Sequence, residues 1–455
     1  MGRLADLLSE YEEKDILAFH MPGHKRRYKG KDPFFAEFYK RDITEIEGFD
    51  DLHDPSGILK ELQEEAAGFM GAGDCFYLVN GSTAGVLSSI CAAVPKGGRL
   101  IIQRDSHMSA YHAMMLQDIT PLYVYGEHDS CGICTGLSVE EIKACGKADA
   151  CFITSPSYEG GILDIRAIAE YVHSVGMKLI VDAAHGAHFC MGGIFPPNAL
   201  RQGADYEIMS VHKTLAAPTQ TALLGLGSGA DRDNVAALLD IFQSSSPSYP
   251  LMSGIDESIS LARGTGVKEQ EDWFKLRKSI DESLRDLKSF KTGSMENADP
   301  YKLVIKMKGH SGGVRAAEIL RERYGIEAEM AMPSYLLLIL SMADTKEDYD
   351  RLIRALQEMD KEFEAGDVSE TGYEMIKPLI RLKPADAFGR GYKKLELKDA
   401  VGKISAAMLT AYPPGRALLV PGEEVTEEIC LRIEALHEEG VNIRGLDNDM
   451  RIKLL

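Results

Sequence analysis

The sequence predicts an α/β protein: a mostly parallel sheet between helices, followed by a smaller α+β domain. Two observations carry this. From about residue 75 to 226, short apolar runs alternate with helix-like stretches, the rhythm of successive βαβ units. From Lys302 the rhythm changes to strand, helix, strand, helix, with more polar helices. The length agrees, since 455 residues exceed what one small core can hold.

The elements follow in order. Residues 1–30 are polar, with breakers at Pro22-Gly23 and Gly30, and are expected to be irregular. Leu78-Val79-Asn80 is apolar and breaks at Gly81. Ala84 to Val94 reads as a helix stopped by Pro95-Lys96-Gly97-Gly98. Leu100-Ile101-Ile102 and Leu122 to Tyr125 read as strands on either side of a helix from Ser109 to Leu116. Ser138-Val139-Glu140-Glu141 fits a capping box that opens a helix. Cys151 to Thr154 and Lys178 to Asp182 are strands around a helix from Leu163 to Val175, and Tyr206–Val211 and Ala222–Leu226 continue the series. Residues 235–290 are more helical. The strand Lys302–Lys306, the helix Gly313–Tyr324, the strand Tyr335–Ser341 and the helix Lys346–Ala365 make the second domain. The charged stretch 360–372 is a linker or hairpin, Tyr412 to Glu423 is rigid and extended, and Thr426–Glu439 is a final helix. The expected boundaries are 1–30 for an N-terminal segment, 31–295 for the large domain and 296–455 for the small one.

Composition excludes several classes. Apolar residues make up 45% and charged residues 27%, an ordinary globular profile. The net charge of −19 argues against a nucleic-acid partner, which calls for a basic field. No apolar run approaches a spanning helix, so no membrane contact is expected. The acidic start does not fit a leader peptide, and eight cysteines then read as reduced thiols in a cytoplasm. Cys131-Gly132-Ile133-Cys134 is a CxxC without a second pair at zinc spacing. It reads as a glycine-containing loop, and no metal is expected.

Four pieces carry chemistry. Asn80-Gly81-Ser82-Thr83-Ala84-Gly85 is a strand–loop–helix junction, where free N–H groups and the helix dipole can hold a phosphate, with Ser82 and Thr83 adding hydroxyls. Taken alone, it is more often an ordinary helix start. Asp182 ends a strand, the edge that borders the crevice of an open α/β sheet. There a carboxylate can keep a heteroaromatic nitrogen protonated, or simply cap the next helix. Ser210-Val211-His212-Lys213-Thr214 again follows a strand, and a lysine so placed suits a Schiff base with an aldehyde cofactor. Asp105-Ser106-His107 follows the strand near residue 100, and its histidine could lie against a ring or be an ordinary loop residue.

A phosphate loop, a strand-end carboxylate and a lysine 31 residues later, in that order, resemble the pyridoxal-phosphate enzymes of the aspartate-aminotransferase fold. More specifically, the chain resembles the bacterial ornithine/lysine/arginine decarboxylases in their short form without a wing domain. The resemblance is carried by Phe19 to Lys25, Asp50 to Pro55, Asn80 to Thr83, Asp105 to His107 and Thr154 to Gly160. It continues through Asp182 to His185, Ser210 to Lys213, Tyr412 to Gly415 and Pro421 to Glu423. It spans nearly the whole chain, with the family's C-terminal motif at about 385–455.

The resemblance implies a seven-stranded, mostly parallel sheet and pyridoxal 5'-phosphate as cofactor. It implies decarboxylation of a basic amino acid by a homodimer or larger homo-oligomer, with an aminotransferase, a lyase or a catalytically silent regulatory homologue as the alternatives. Lys213 would carry the cofactor, Asp182 would pair with its ring nitrogen and His107 would stack on its face. Ser82, Thr83, Ser210 and His212 would hold the phosphate, with His185 alongside. Ser244 or Ser245 would reach the phosphate of the partner subunit, and Glu423 would meet a distal cationic group of the substrate. Arg416-Ala417 departs from the family pattern: a cation there repels a basic substrate unless it points away or pairs with Glu423 or Glu424.

Overall fold

The computed structural model describes residues 2–14, 18–22, 24–26, 32–292, 297–308, 312–363, 375–412 and 415–455. Gly23, Pro413, Pro414 and most of the expected 360–372 linker lie outside these residues.

Seven strands form the main sheet: β1 Asp74–Leu78, β2 Arg99–Gln103, β3 Thr120–Val124, β4 Ala150–Thr154, β5 Lys178–Asp182, β6 Tyr206–Met209 and β7 Ala222–Leu226. Their order across the sheet is β1-β7-β6-β5-β4-β2-β3. The pairs β2/β3, β2/β4 and β5/β6 are parallel, while β7 runs antiparallel to both of its neighbours, β1 and β6. The reversal has a local cause. The link after β6 holds only the one-turn helix Val211–Thr214, too short for a crossover, so the chain re-enters from the end it left. The apolar runs that announce these strands are continuous because the strands are covered on both faces: Leu100, Ile101, Ile102, Leu179, Ile180 and Val181 are fully buried.

By contact density the chain divides into two units, Met1–Ala93 with Ile165–Val267, and Val94–Asp164 with Lys268–Leu455. In the first, residues expected to be irregular form the helix Arg3–Glu13. Leu4, Leu8 and Tyr11 give it a buried stripe, and the Leu4 N–H donates to Asp256 Oδ2 at 2.8 Å. A stripe of three residues is too short to stand out in the sequence. The helix Gly81–Ala93 packs against the sheet through Gly85, where a Cβ would stand 2.7 Å from Leu78 Cδ1 and 3.1 Å from Ile208 Cγ2. That close approach needs glycine and fixes the helix start above the ends of β1 and β6.

In the second unit, an antiparallel sheet is ordered 290–292, 302–307, 335–339, 330–332, with the helices Gly313–Tyr324 and Lys346–Met359 following its strands in the chain. A second core gathers Leu397, Leu409, Leu419, Val425, Ile433 and Ile452 beneath the helix Glu427–Glu438. The expected capping box at Ser138 is half made: Ser138 caps Glu141 N, but the Glu141 carboxylate accepts instead from the N–H groups of Tyr125 and Gly126. All eight cysteines are free thiols. Among the described residues, no helix is long and apolar enough to cross a membrane.

Candidate active site

The parallel strands β5 and β6 end side by side, and their carboxyl ends carry the chemistry of the first unit. Asp182 closes β5 and is only 4% exposed. Its Oδ1 accepts from the Ala184 N–H at 3.1 Å. Burial pushes its carboxyl up, while Lys213 and the Ala184 N–H pull it back toward the ionised form. Lys213 leaves the one-turn helix after β6, and its Nζ lies 3.1 Å from Nε2 of the buried His185. Ser210 opens that turn without capping it. Among the described residues its buried hydroxyl has no hydrogen-bond partner, and neither has the hydroxyl of Thr214. Orphaned buried hydroxyls are costly unless something else binds there.

His212 Nδ1 donates to the Thr221 carbonyl at 2.7 Å, which fixes its tautomer. Burial and the neighbouring Lys213 push its pKa down. Ser82 and Thr83 sit in the first turn of the helix Gly81–Ala93, where N–H groups are free to meet an anion. Two glutamines hold the loop before this turn: Gln243 Oε1 accepts from Val79 N at 2.9 Å, and Gln220 Nε2 donates to the Val79 carbonyl at 2.5 Å. Ser244 and Ser245 lie on an exposed turn, where His53 bonds the Ser244 carbonyl at 2.8 Å and Asp240 at 2.7 Å. The unit therefore gathers Asp182, His185, Ser210, His212 and Lys213 at adjacent strand ends. An orphaned hydroxyl, a buried carboxylate, a lysine and a helix N-terminus fit a phosphorylated pyridine aldehyde.

His107 and Glu423 belong to the second unit. His107 is the exposed N-cap of the helix Met108–Gln117, its Nδ1 engaged by Ser109. Glu423 is 1% exposed, and both of its oxygens are 3.0 Å from the Arg104 guanidinium. Val420 N donates to it as well. Burial pushes the Glu423 carboxyl up, and Arg104 pulls it back. Its carboxylate is thus committed to an internal pair, which differs from the expected contact with a substrate cation.

Arg416 pairs with neither Glu423 nor Glu424. It donates to both oxygens of Glu159 at 2.6 Å, and Tyr335 donates to the same carboxylate at 2.6 Å. Glu424 is taken by Arg381 at 2.6 Å. The Arg416–Glu159 pair and the Arg104–Glu423 pair escaped the sequence reading because their members lie 257 and 319 residues apart. Gln220 and Gln243 gave no signal at all, since a lone glutamine in a loop resembles any solvated residue.

The Orn/Lys/Arg decarboxylase major domain matches residues 3–292, and that family's C-terminal domain matches 369–451. The chain belongs to the Orn/Lys/Arg decarboxylase family. It is an amino acid decarboxylase of that family. The chain is 32% identical to the uncharacterized protein YaaO of Bacillus subtilis over 98% of this chain and 96% of the relative. It is 30% identical to the arginine decarboxylase of the same organism, covering 96% and 94%. Among solved structures, the lysine decarboxylase LdcF of Francisella novicida superposes with a TM-score of 0.83 at 20% identity, covering 100% of this chain and 81% of that one. A NifS-like protein superposes at 0.54 with 16% identity, over 67% and 88%. These likenesses show the aminotransferase-like fold. The family and its structural neighbours are pyridoxal-phosphate-dependent enzymes.

Proposed function

We propose that this chain decarboxylates arginine, using pyridoxal 5'-phosphate held at the ends of β5 and β6. The observation that carries the cofactor is the set at adjacent strand ends: buried Asp182 closing β5, and, after β6, the orphaned Ser210 hydroxyl and Lys213, whose Nζ is 3.1 Å from His185 Nε2. Arginine is favoured over lysine by the relatives: those named arginine decarboxylase reach 30% identity, and those named lysine decarboxylase 23%.

When bound, the cofactor supplies an electron sink for the pair left at Cα as CO₂ departs. Lys213 would hold the cofactor through Nζ and would carry a proton at that atom. His185 Nε2, 3.1 Å away, orients the amine and shares the proton. Asp182 holds a positive charge at the ring nitrogen, in a setting where burial makes the pairing strong. The hydroxyls of Ser82, Thr83 and Ser210, with His212, would hold the phosphate. A hydroxyl from Ser244 or Ser245 reaches the partner subunit's phosphate, which makes a cytoplasmic homodimer or higher homo-oligomer the working unit. In this reading residues 31–295 form the cofactor domain and 296–455 the small domain.

An aminotransferase needs an arginine free to clamp the substrate carboxylate. Arg104 and Arg416 are instead both held by buried glutamates.

The test is incubation of the cofactor-loaded protein with arginine, lysine and ornithine, products being read by mass spectrometry. Lys213→Ala serves as the blank. The expected result is an amine lighter than arginine by one CO₂, absent in the blank. Product from lysine or ornithine alone would overturn the substrate, and equal product from Lys213→Ala would overturn the site.

A further inference from the structure

The CxxC loop has no part in the chemistry above, yet it is built into the second unit with care. Ile133 is fully buried in a cluster with Val304, Met330, Tyr335 and Leu337, so the loop is anchored at its centre. The loop joins the two short strands Glu127–His128 and Cys134–Gly136, and in their register His128 stands directly opposite Cys134. Cross-strand partners put their side chains on one face. Asp105, from the loop that leaves β2, meets them there: one ligand atom each of Asp105, His128 and Cys134 lie within 4.8 Å of one another. Asp105 and His128 also line a cavity of about 400 Å³, together with Cys131, Arg104 and Arg416.

Hydrogen bonding leaves a gap at Asp105. Asp105 Oδ2 stands 3.9 Å from His128 Nε2, too far for a hydrogen bond. The side chain of Asp105 is only 10% exposed, and its Oδ1 is buried without a hydrogen-bond partner among the described residues. A buried carboxylate oxygen so left is costly unless a cation meets it.

We propose that Asp105, His128 and Cys134 bind one thiophilic divalent cation, Zn²⁺ by preference, at the wall of this cavity. A thiolate, an imidazole and a carboxylate form a mixed S, N, O set that suits zinc. Bond lengths of about 2.0–2.3 Å give tetrahedral edges of roughly 3.3–3.8 Å, so the three atoms close on the ion by small side-chain movements. The fourth position faces the cavity and stays open to water or an anionic ligand. The charges close as well: carboxylate, thiolate and divalent ion sum to zero in a buried place. Binding displaces the Cys134 proton to solvent as the sulfur–metal bond forms. Gln103 supplies support from behind. Its Nε2 donates to Cys134 Sγ at 3.3 Å, and its Oε1 is fixed by the Thr154 N–H at 3.1 Å. Without the ion, burial and Asp105 hold the thiol neutral, its pKa pushed up to about 12.

The experiment is equilibrium dialysis of the cofactor-loaded full chain against Zn²⁺ with metal analysis, and the same with Co²⁺ read by its visible d–d bands. The expected result is one equivalent bound, with a tetrahedral, thiolate-ligated Co²⁺ spectrum. Asp105→Asn, His128→Gln and Cys134→Ser should each weaken binding at least about tenfold, the scale on which even outer-shell partners act. Cys131→Ser should leave it unchanged. Circular dichroism melting checks that each variant is folded, and Cys134→Ala replaces Cys134→Ser if the serine variant is not. Failure of the wild type to take up an equivalent overturns the proposal. So does unchanged affinity in the Cys134 variant. Loss in Cys131→Ser with retention in Asp105→Asn and His128→Gln overturns it too, in favour of a dithiol site.

Discussion

In the first unit, the polar groups at the ends of β5 and β6 are buried with their hydrogen bonding incomplete: among the described residues the hydroxyls of Ser210 and Thr214 have no partner, and Asp182 accepts one backbone bond. In the second, the buried charges of Arg104, Glu423, Glu159 and Arg416 are matched, each glutamate by an arginine through two oxygens and by a further donor. Not every acid there is matched: among the described residues Asp105 keeps one orphaned oxygen, and so does Asp281. A complete pair holds a fold, since removing one partner leaves an uncompensated charge. An incomplete cluster is a place prepared for something to bind. The comparison thus separates residues whose loss should damage activity from those whose loss should damage stability.

The sharpest separation comes from Asp182. Asp182→Ala should cut turnover at least ~10³-fold, a barrier rise above about 4 kcal/mol, while the protein without cofactor melts near the wild-type temperature. Steady-state kinetics and thermal melting of the same preparation check both halves. A variant that loses its fold along with its activity would move Asp182 to the structural class.

Glu423→Gln should behave in the opposite way. It leaves the Arg104 guanidinium buried without its counter-charge, at a cost of about 3–5 kcal/mol of unfolding free energy, read by urea denaturation. Turnover per folded molecule should change little. A large loss of turnover with unchanged stability would return Glu423 to the substrate contact that its sequence position suggested.

What the sequence revealed runs along the same division. The site at β5 and β6 was legible because each piece is local: an apolar run of four or five residues, then Asp182, then Ser210 to Lys213 within one turn. The strand series was legible because strands buried on both faces read as continuous apolar runs. The antiparallel direction of β7 was not, since periodicity carries no direction and only the short link after β6 sets it. Nor were the pairs of Glu423 and Arg416, because a partner hundreds of residues away leaves no local trace. Glu423 reads as a substrate contact through the resemblance alone, and no local pattern points to its partner Arg104. The first helix was missed because three apolar positions among acidic residues look like a solvated segment.

Glu207 tests the comparison with pH. It lies on β6, 1% exposed, with its carboxylate receiving Asn198 Nδ2, Ala199 N and Leu200 N at 2.6, 2.8 and 3.1 Å. Among the described residues no cation forms an ion pair with it, and burial pushes its pKa up to about 7 from an ordinary 4.5. The folded state therefore binds a proton that the unfolded chain has released. The stability this confers is fully present below about pH 4.5 and is lost as the pH rises through about 7, a change on the order of 3 kcal/mol. Unfolding free energies from urea denaturation should fall between about pH 5 and about pH 8 by roughly that amount more in the wild type than in Glu207→Gln. Equal slopes in the two proteins would mean that the three N–H donors already keep Glu207 ionised.

The smallest effect on stability is expected where the comparison is most exposed to failure. Ser210 is fully buried, and its hydroxyl bonds to nothing among the described residues. If that hydroxyl is kept for the cofactor's phosphate, Ser210→Ala removes a desolvated group that the cofactor-free fold does not use. Such a protein should then be as stable as the wild type or up to about 1 kcal/mol more so, by the cost of leaving a donor unsatisfied. Its affinity for pyridoxal phosphate should fall by about tenfold, the loss of one hydrogen bond to a charged group. Urea denaturation without cofactor and titration with cofactor separate the two numbers. A destabilised protein with undiminished cofactor affinity would show that the hydroxyl serves the fold, and that incomplete hydrogen bonding at these strand ends does not mark a binding site.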